Sequence, residues 1–206
     1  MPRIIDISQT LHEGIAVWPG DPPFRTFWIA QMAGGDHCNV GGVSMSLHTG
    51  THADAPRHFL ADGPAVDAEL SPFIGEALLV DCSGSRAISE THLDRLPAHI
   101  PPRLLLRTGS CDPNRWREDY AYLTPAAAEW LVRRGIVLVG LDTPSVDPHG
   151  SHGLDAHKTL ALGGVSVLEN LTLADAAPGV YELIALPLKL AGMDASPVRA
   201  ILRTLD

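Results

Sequence analysis

Between two short apolar runs, residues 104–106 and 136–141, lies a segment with the full set of helix signals, and this strand-helix-strand order constrains the fold more than any other feature. Thr124 suits an N-cap, Pro125 the first helical position, and Ala126, Ala127 and Ala128 the body. Arg133 and Arg134 complement the C-terminal dipole, and Gly135 stops the helix. Both flanking runs are rich in branched side chains, as strands covered on two faces are. Such a unit joins two parallel strands by a right-handed crossover, and ligands bind beyond the carboxyl ends of those strands. Asp142, Thr143 and Ser145 therefore fall near a candidate site. Residues 77–80 read as another central strand, and 181–186 and 198–203 as further ones, the last with Val198, Ala200 and Leu202 on one face and Arg199 and Arg203 on the other. A short second helix is expected after Ser89. The expected fold is α/β, with a central mixed β-sheet or barrel-like β core flanked by helices, in a single domain over residues 1–206.

A chain of 206 residues with 45% apolar and 19% charged side chains can bury a substantial core. Its formal charge of −9 argues against nucleic acid or an anionic membrane surface as partner, since each demands a basic patch. A small molecule is the expected ligand. Cys38, Cys82 and Cys111 are odd in number and widely spaced, which points to reduced thiols rather than a disulfide framework. The start, Met1 to Asp6, meets a charge before any apolar stretch long enough for a leader or a span, so a cytoplasmic protein is expected.

The chemistry concentrates in residues 43–59. Val43, Met45 and Leu47 alternate with Ser44, Ser46 and His48, the period of a half-buried strand, which would place His48 at the strand's end on its polar face. His48 and His52 have the spacing of a helical zinc pair, but Gly50 and Pro56 oppose a helix. A straight strand would hold the two imidazoles roughly 13 Å apart, far beyond the reach of ligands that each sit about 2 Å from one metal. The chain is therefore expected to bend at Gly50 and run extended again, giving His52, Asp54 and His58 one parity. Any one of these histidines alone would read as a hydrogen-bonded structural residue. Three imidazoles and a carboxylate around a glycine turn instead read as an open hydrolytic metal site, because imidazole and carboxylate without thiolate is the donor set of such sites.

These residues, His48-Thr-Gly-Thr-His52-Ala-Asp54-Ala-Pro-Arg-His58-Phe, resemble the signature of the cyclase-type metal-dependent hydrolases, a family that includes bacterial kynurenine formamidases. The likeness continues through Asp6-Ile-Ser, Trp18-Pro-Gly-Asp21, Asp142-Thr-Pro-Ser-Val-Asp147, His157-Lys-Thr-Leu, Leu168-Glu169-Asn-Leu171 and the stretch from Leu186 to Ala200. What the resemblance implies is a binuclear zinc centre, two ions per subunit. His48, His52 and Asp54 match the ligands of one ion; His157 matches a ligand of the second, Glu169 a carboxylate shared by both, and Asp54 also contributes to the second. His58 is similar to the family's proton donor and acceptor, and Trp18 to a residue that stacks on the substrate's aryl ring. The resemblance further implies a swivelling β/β/α fold, a homodimer, and hydrolysis of N-formyl-L-kynurenine to L-kynurenine and formate in tryptophan degradation. Two alternatives stay open: another family member acting on a cyclic amide such as isatin, on a lactam or on an ester, with manganese in place of zinc, and a non-catalytic metal-binding protein, which would have no need of His58.

Overall fold

The computed structural model describes residues 1–205. Its strands in chain order are β1 (Ile4–Asp6), β2 (Arg25–Ala30), β3 (Val40–Ser44), β4 (His52–Asp54), β5 (Ile74–Asp81), β6 (Ala87–Ile88), β7 (Arg103–Arg107), β8 (Tyr122–Leu123), β9 (Leu138–Leu141), β10 (Ser166–Glu169), β11 (Gly179–Ile184), β12 (Ala195–Pro197) and β13 (Ile201–Arg203). The helices are α1 (Glu90–Leu93), α2 (Pro125–Arg133) and α3 (Asp155–Leu162). Among the described residues nine strands form one mixed sheet, ordered β1-β13-β11-β5-β7-β9-β10-β4-β12. The central four, β5, β7, β9 and β10, run parallel, and antiparallel pairs flank them on both sides.

The strand-helix-strand unit forms as its sequence dictates. β7 and β9 pair in parallel with Leu104 beside Val139, and α2 lies between them in the chain. Thr124 Oγ1 accepts the Ala127 N–H at 3.2 Å, satisfying one of the donors that a helix start leaves unpaired. Gly135 takes a φ of +68° just after the helix. The short helix after Ser89 is present as α1.

Leu104, Leu105 and Leu106 are all buried, because successive side chains face opposite sides of the sheet and both sides are covered. One side closes over Ile7, Leu79, Leu105, Leu168, Leu183 and Leu202, contributed mainly by the strands of the sheet itself. The other packs Leu104, Leu106, Val139 and Leu141 against Ala127 and Leu131 of α2 and Leu160 of α3.

Two strand expectations change. Residues 43–47 do not form a strand ending at His48: β3 stops at Ser44, and turns carry the chain from there to Thr51. Among the described residues β3 pairs only with β2, in a separate two-stranded sheet, so the alternation reflects a hairpin apart from the main sheet rather than a half-buried strand of it. The hairpin leaves Phe27, Trp28, Ile29 and Val43 exposed, Ile29 at 70%. The last strand is also shorter than residues 198–203; pairing is confined to β13, although Val198, Ala200 and Leu202 keep their buried parity. Cys38, Cys82 and Cys111 are free thiols.

Candidate metal centre and substrate pocket

β4 is only three residues long and lies between β10 and β12. Its register sets His52 opposite Glu169 and Asp54 opposite Val167 on β10. Because residues opposite one another share a face, His52, Asp54 and Glu169 point together, while Ala53 and Leu168 turn into the core on the other side.

The expected bend is at Gly50, with φ +67°. A Cβ there would lie 2.5 Å from Leu11 Cδ2, so glycine answers both the backbone and the space. The turn brings the Gly50 carbonyl to accept from His52 Nδ1 at 2.8 Å, which leaves His52 Nε2 as the nitrogen turned to the site. His48 arrives from the turn before the bend, its Nδ1 3.1 Å from Asp54 Oδ1. His52 Nε2 is 3.3 Å from the same oxygen and 3.5 Å from Glu169 Oε2. On the other side of the carboxylate, Asp54 Oδ2 faces His157 Nε2 at 3.4 Å, and that nitrogen lies 3.2 Å from Glu169 Oε1. Asp54 thus presents one oxygen to two imidazoles and its second oxygen to a third.

His157 is placed by Asp147. That carboxylate accepts the Ala156 and His157 backbone N–H groups at 3.0 and 3.1 Å, capping α3, and accepts His157 Nδ1 at 2.7 Å. A ring so held offers only Nε2 to the interior.

These donors fit a divalent cation. His52 Nε2, Asp54 Oδ1 and Asp54 Oδ2 are buried with no hydrogen-bond partner, which is costly unless something else takes their lone pairs. Ligand atoms of His52, Asp54 and Glu169 lie within 4.8 Å of one another, as do those of His48, Asp54 and His58. Protonation follows the same electrostatics. Burial by itself would lower the His52 pKa, yet Asp54 and Glu169 raise it to about 10. Burial likewise opposes charge on His157, but Asp147, Asp54 and Glu169 lift it well above the usual imidazole range. Asp54, despite its own burial, is held well below the ordinary carboxyl value by His157, His48 and His52. A pocket that favours positive charge this strongly is suited to a cation, which would displace those protons.

His58 does not arrive by extended parity. The chain runs extended only to Ala55, after which the 3-10 turn Pro56–His58 brings the imidazole back to the site. It stays at the rim, with its side chain 36% exposed and its ring centroid 4.2 Å from that of His48. Arg57 N–H donates to the Pro64 carbonyl at 3.1 Å, and Gly63 packs under the turn.

Over these groups opens a cavity of about 280 Å³, whose lining includes Trp18, Asp21, Trp116 and Ser145. Trp18 and Trp116 meet edge to face with centroids 5.0 Å apart, forming an aromatic wall. Asp142 does not reach the cavity: it accepts from Thr108 N–H and Oγ1 and from Gly109 N–H, anchoring the loop that leads to Trp116. Sequence reasoning missed Trp116, Asp147 and Asp194. Asp194 Oδ2 accepts from His48 Nε2 at 3.0 Å and lies 3.4 Å from His58 Nδ1. Asp147 ends the quoted segment that begins at Asp142, but nothing local in the sequence tied it to His157.

The model of the Cyclase family matches residues 5–148, and the chain belongs to this family. It is similar to a protein named kynurenine formamidase from Bordetella petrii, 44% identical over 210 residues with 100% of both chains covered. Among solved structures, one of a potential metal-dependent hydrolase with cyclase activity superposes with a TM-score of 0.87 at 26% identity, covering 100% of each chain. Isatin hydrolase A from Labrenzia aggregata, bound to benzyl benzoate, gives a TM-score of 0.83 at 26% identity, covering 100% of this chain and 94% of that one.

Proposed function

We propose that the chain is a zinc-dependent arylformamidase that hydrolyses N-formyl-L-kynurenine to L-kynurenine and formate in tryptophan degradation, its hydrolase domain taking in residues 1–206. The observation that carries this reading is the full-length identity of 44% to a kynurenine formamidase, in a chain that gathers His48, His52, Asp54, His157 and Glu169 beneath an aromatic cavity.

In this reading His48, His52 and Asp54 would hold one ion, Asp54 and His157 a second, and Glu169 would be shared by both, with zinc matching the all-imidazole and carboxylate donors. When bound, such a centre supplies water ionised near neutral pH and a polarised carbonyl oxygen. The remaining work falls to the chain's own side chains. Hydrolysis breaks the bond from formyl carbon to arylamine nitrogen; water gives its oxygen to the carbon, one proton to the nitrogen, and the other to solvent as formate ionises. An arylamine leaves poorly as an anion, so the proton must reach nitrogen as the bond breaks. His58, at the rim and free of the buried carboxylates, takes a proton from the attacking water and delivers it to that nitrogen. Trp18, backed by Trp116, stacks on the aryl ring.

The functional unit is a homodimer in this reading. The β2–β3 hairpin supports it: its apolar side chains are exposed, and a lone two-stranded hairpin is marginal in water unless another surface covers it. Among the described residues no helix is long and apolar enough to cross a membrane, and we assign the enzyme to the cytoplasm on its free thiols.

The similarity to isatin hydrolase A favours one rival, opening of a cyclic amide. Assays of the zinc-loaded protein on both compounds separate the two. N-formyl-L-kynurenine is expected to show a kcat/KM at least about 100-fold above that of isatin; the reverse order would hand the site to the rival.

The turn bearing His58 gives a second expectation. A Cβ on Gly63 would stand 2.5 Å from the Pro56 carbonyl carbon and 2.6 Å from the Arg57 nitrogen, backbone atoms that no side-chain rotation can clear. Gly63→Ala is therefore expected to shift His58 and cut kcat by about 10-fold or more while zinc content stays at the wild-type level. Unchanged kcat would show that the turn tolerates the displacement.

A further inference from the structure

The turn before β12 brings to the site one side chain that the histidine motif does not contain. β12 pairs with β4 so that Ala195 faces Asp54 and Pro197 faces His52. One step outward, Ala55 N–H donates to the Asp194 carbonyl at 2.8 Å, and Val66 N–H donates to the Met193 carbonyl at 3.0 Å. Backbone bonds at two successive residues thus fix where the Asp194 side chain emerges. It emerges between two imidazoles: a single oxygen, Oδ2, lies 3.0 Å from His48 Nε2 and 3.4 Å from His58 Nδ1.

We propose that Asp194 is a positioning residue that couples the candidate metal ligand His48 to the proton carrier His58. The inference rests on the reading of those two histidines given above. An oxygen at His48 Nε2 fixes that nitrogen as the N–H and leaves Nδ1, beside Asp54, as the one with a lone pair to offer an ion. The same oxygen, 3.4 Å from His58 Nδ1, favours the tautomer with its proton on that nitrogen, which leaves Nε2 to take a proton from water and pass it on. One carboxylate thereby sets the tautomer of both rings and the angle at which His58 leans over His48, whose centroids are 4.2 Å apart. The competing description is an ion pair on a side chain 43% exposed, of the kind that contributes little.

The two differ in a readout that folding alone does not move. An arylamine needs a proton to leave, whereas the phenolate of p-nitrophenyl formate leaves without one. In the zinc-loaded Asp194→Ala protein, kcat for N-formyl-L-kynurenine is expected to fall about 10–100-fold with KM held within about threefold. Ester hydrolysis is expected to fall less than about threefold, and zinc affinity, measured by competition with a chromogenic chelator, about 10-fold. Asp194→Asn keeps an acceptor oxygen at the same place and is expected to fall between wild type and Asp194→Ala, while thermal unfolding of both variants reports on the fold. Equal loss on amide and ester would overturn the link to His58, and unchanged rates and zinc affinity would reduce Asp194 to a surface ion pair. If the wild type did not turn over the formamide, the functional reading would fail by itself; zinc affinity would then still judge the link to His48.

Discussion

Asp54→Asn should lose about 10³-fold or more in formamide turnover and should behave like the wild-type protein stripped by a chelator. Two carboxylates face both halves of the site, Glu169 through His52 and His157, and Asp54 with Oδ1 toward His48 and His52 and Oδ2 toward His157, so that Asp54 alone of the two meets all three imidazoles. An amide keeps the size but turns one face from acceptor to donor, so one set of ligands meets an N–H where it had an oxygen. The loss should show without any assay of turnover. An ion that binds only the folded protein raises the unfolding temperature in proportion to the logarithm of its concentration over Kd, so added zinc should stabilise the wild type and leave Asp54→Asn unmoved. A variant that kept both its zinc response and its turnover would refute the shared-carboxylate arrangement.

His58→Ala should separate metal binding from catalysis. The imidazole sits at the rim on its own 3-10 turn, outside the buried set of His52, Asp54, His157 and Glu169. Its removal is expected to lower kcat on N-formyl-L-kynurenine by about 10²–10⁴-fold, the usual contribution of a positioned general acid and base. Zinc content, measured by elemental analysis after dialysis, should stay close to that of the wild type. Loss of the metal along with the activity would make His58 a ligand, an arrangement the proximity of its ring to His48 and Asp54 also permits.

Legibility in the sequence followed the range of the forces involved. The unit from residue 104 to 141 was readable because capping, helix propensity and apolar runs act within a few residues. The group His48, His52, Asp54 and His58 was readable because its members are neighbours in the chain, and the bend at Gly50 followed from reach alone. The path of His48 is not legible, since alternation over residues 43–47 fits a separate hairpin as well as a half-buried strand of the main sheet. His157 and Glu169 came only through family likeness: the parallel pairing of β9 with β10 and the antiparallel pairing of β10 with β4 bring them to the centre, and neither pairing leaves a local trace. Asp194 was invisible for the same reason. β12, Ala195-Ser196-Pro197, has little strand propensity, and its place beside β4 is a tertiary fact.

β4 is held on one flank by β10, inside the sheet, and on the other by β12, the sheet's outermost strand. Edge strands open more readily than interior ones, so the weak flank of the strand that carries His52 and Asp54 is the one covered by β12. If the site holds ions as proposed, brief detachment of β12 would loosen the hold of His52 and Asp54 and give an ion a way out besides the cavity above them.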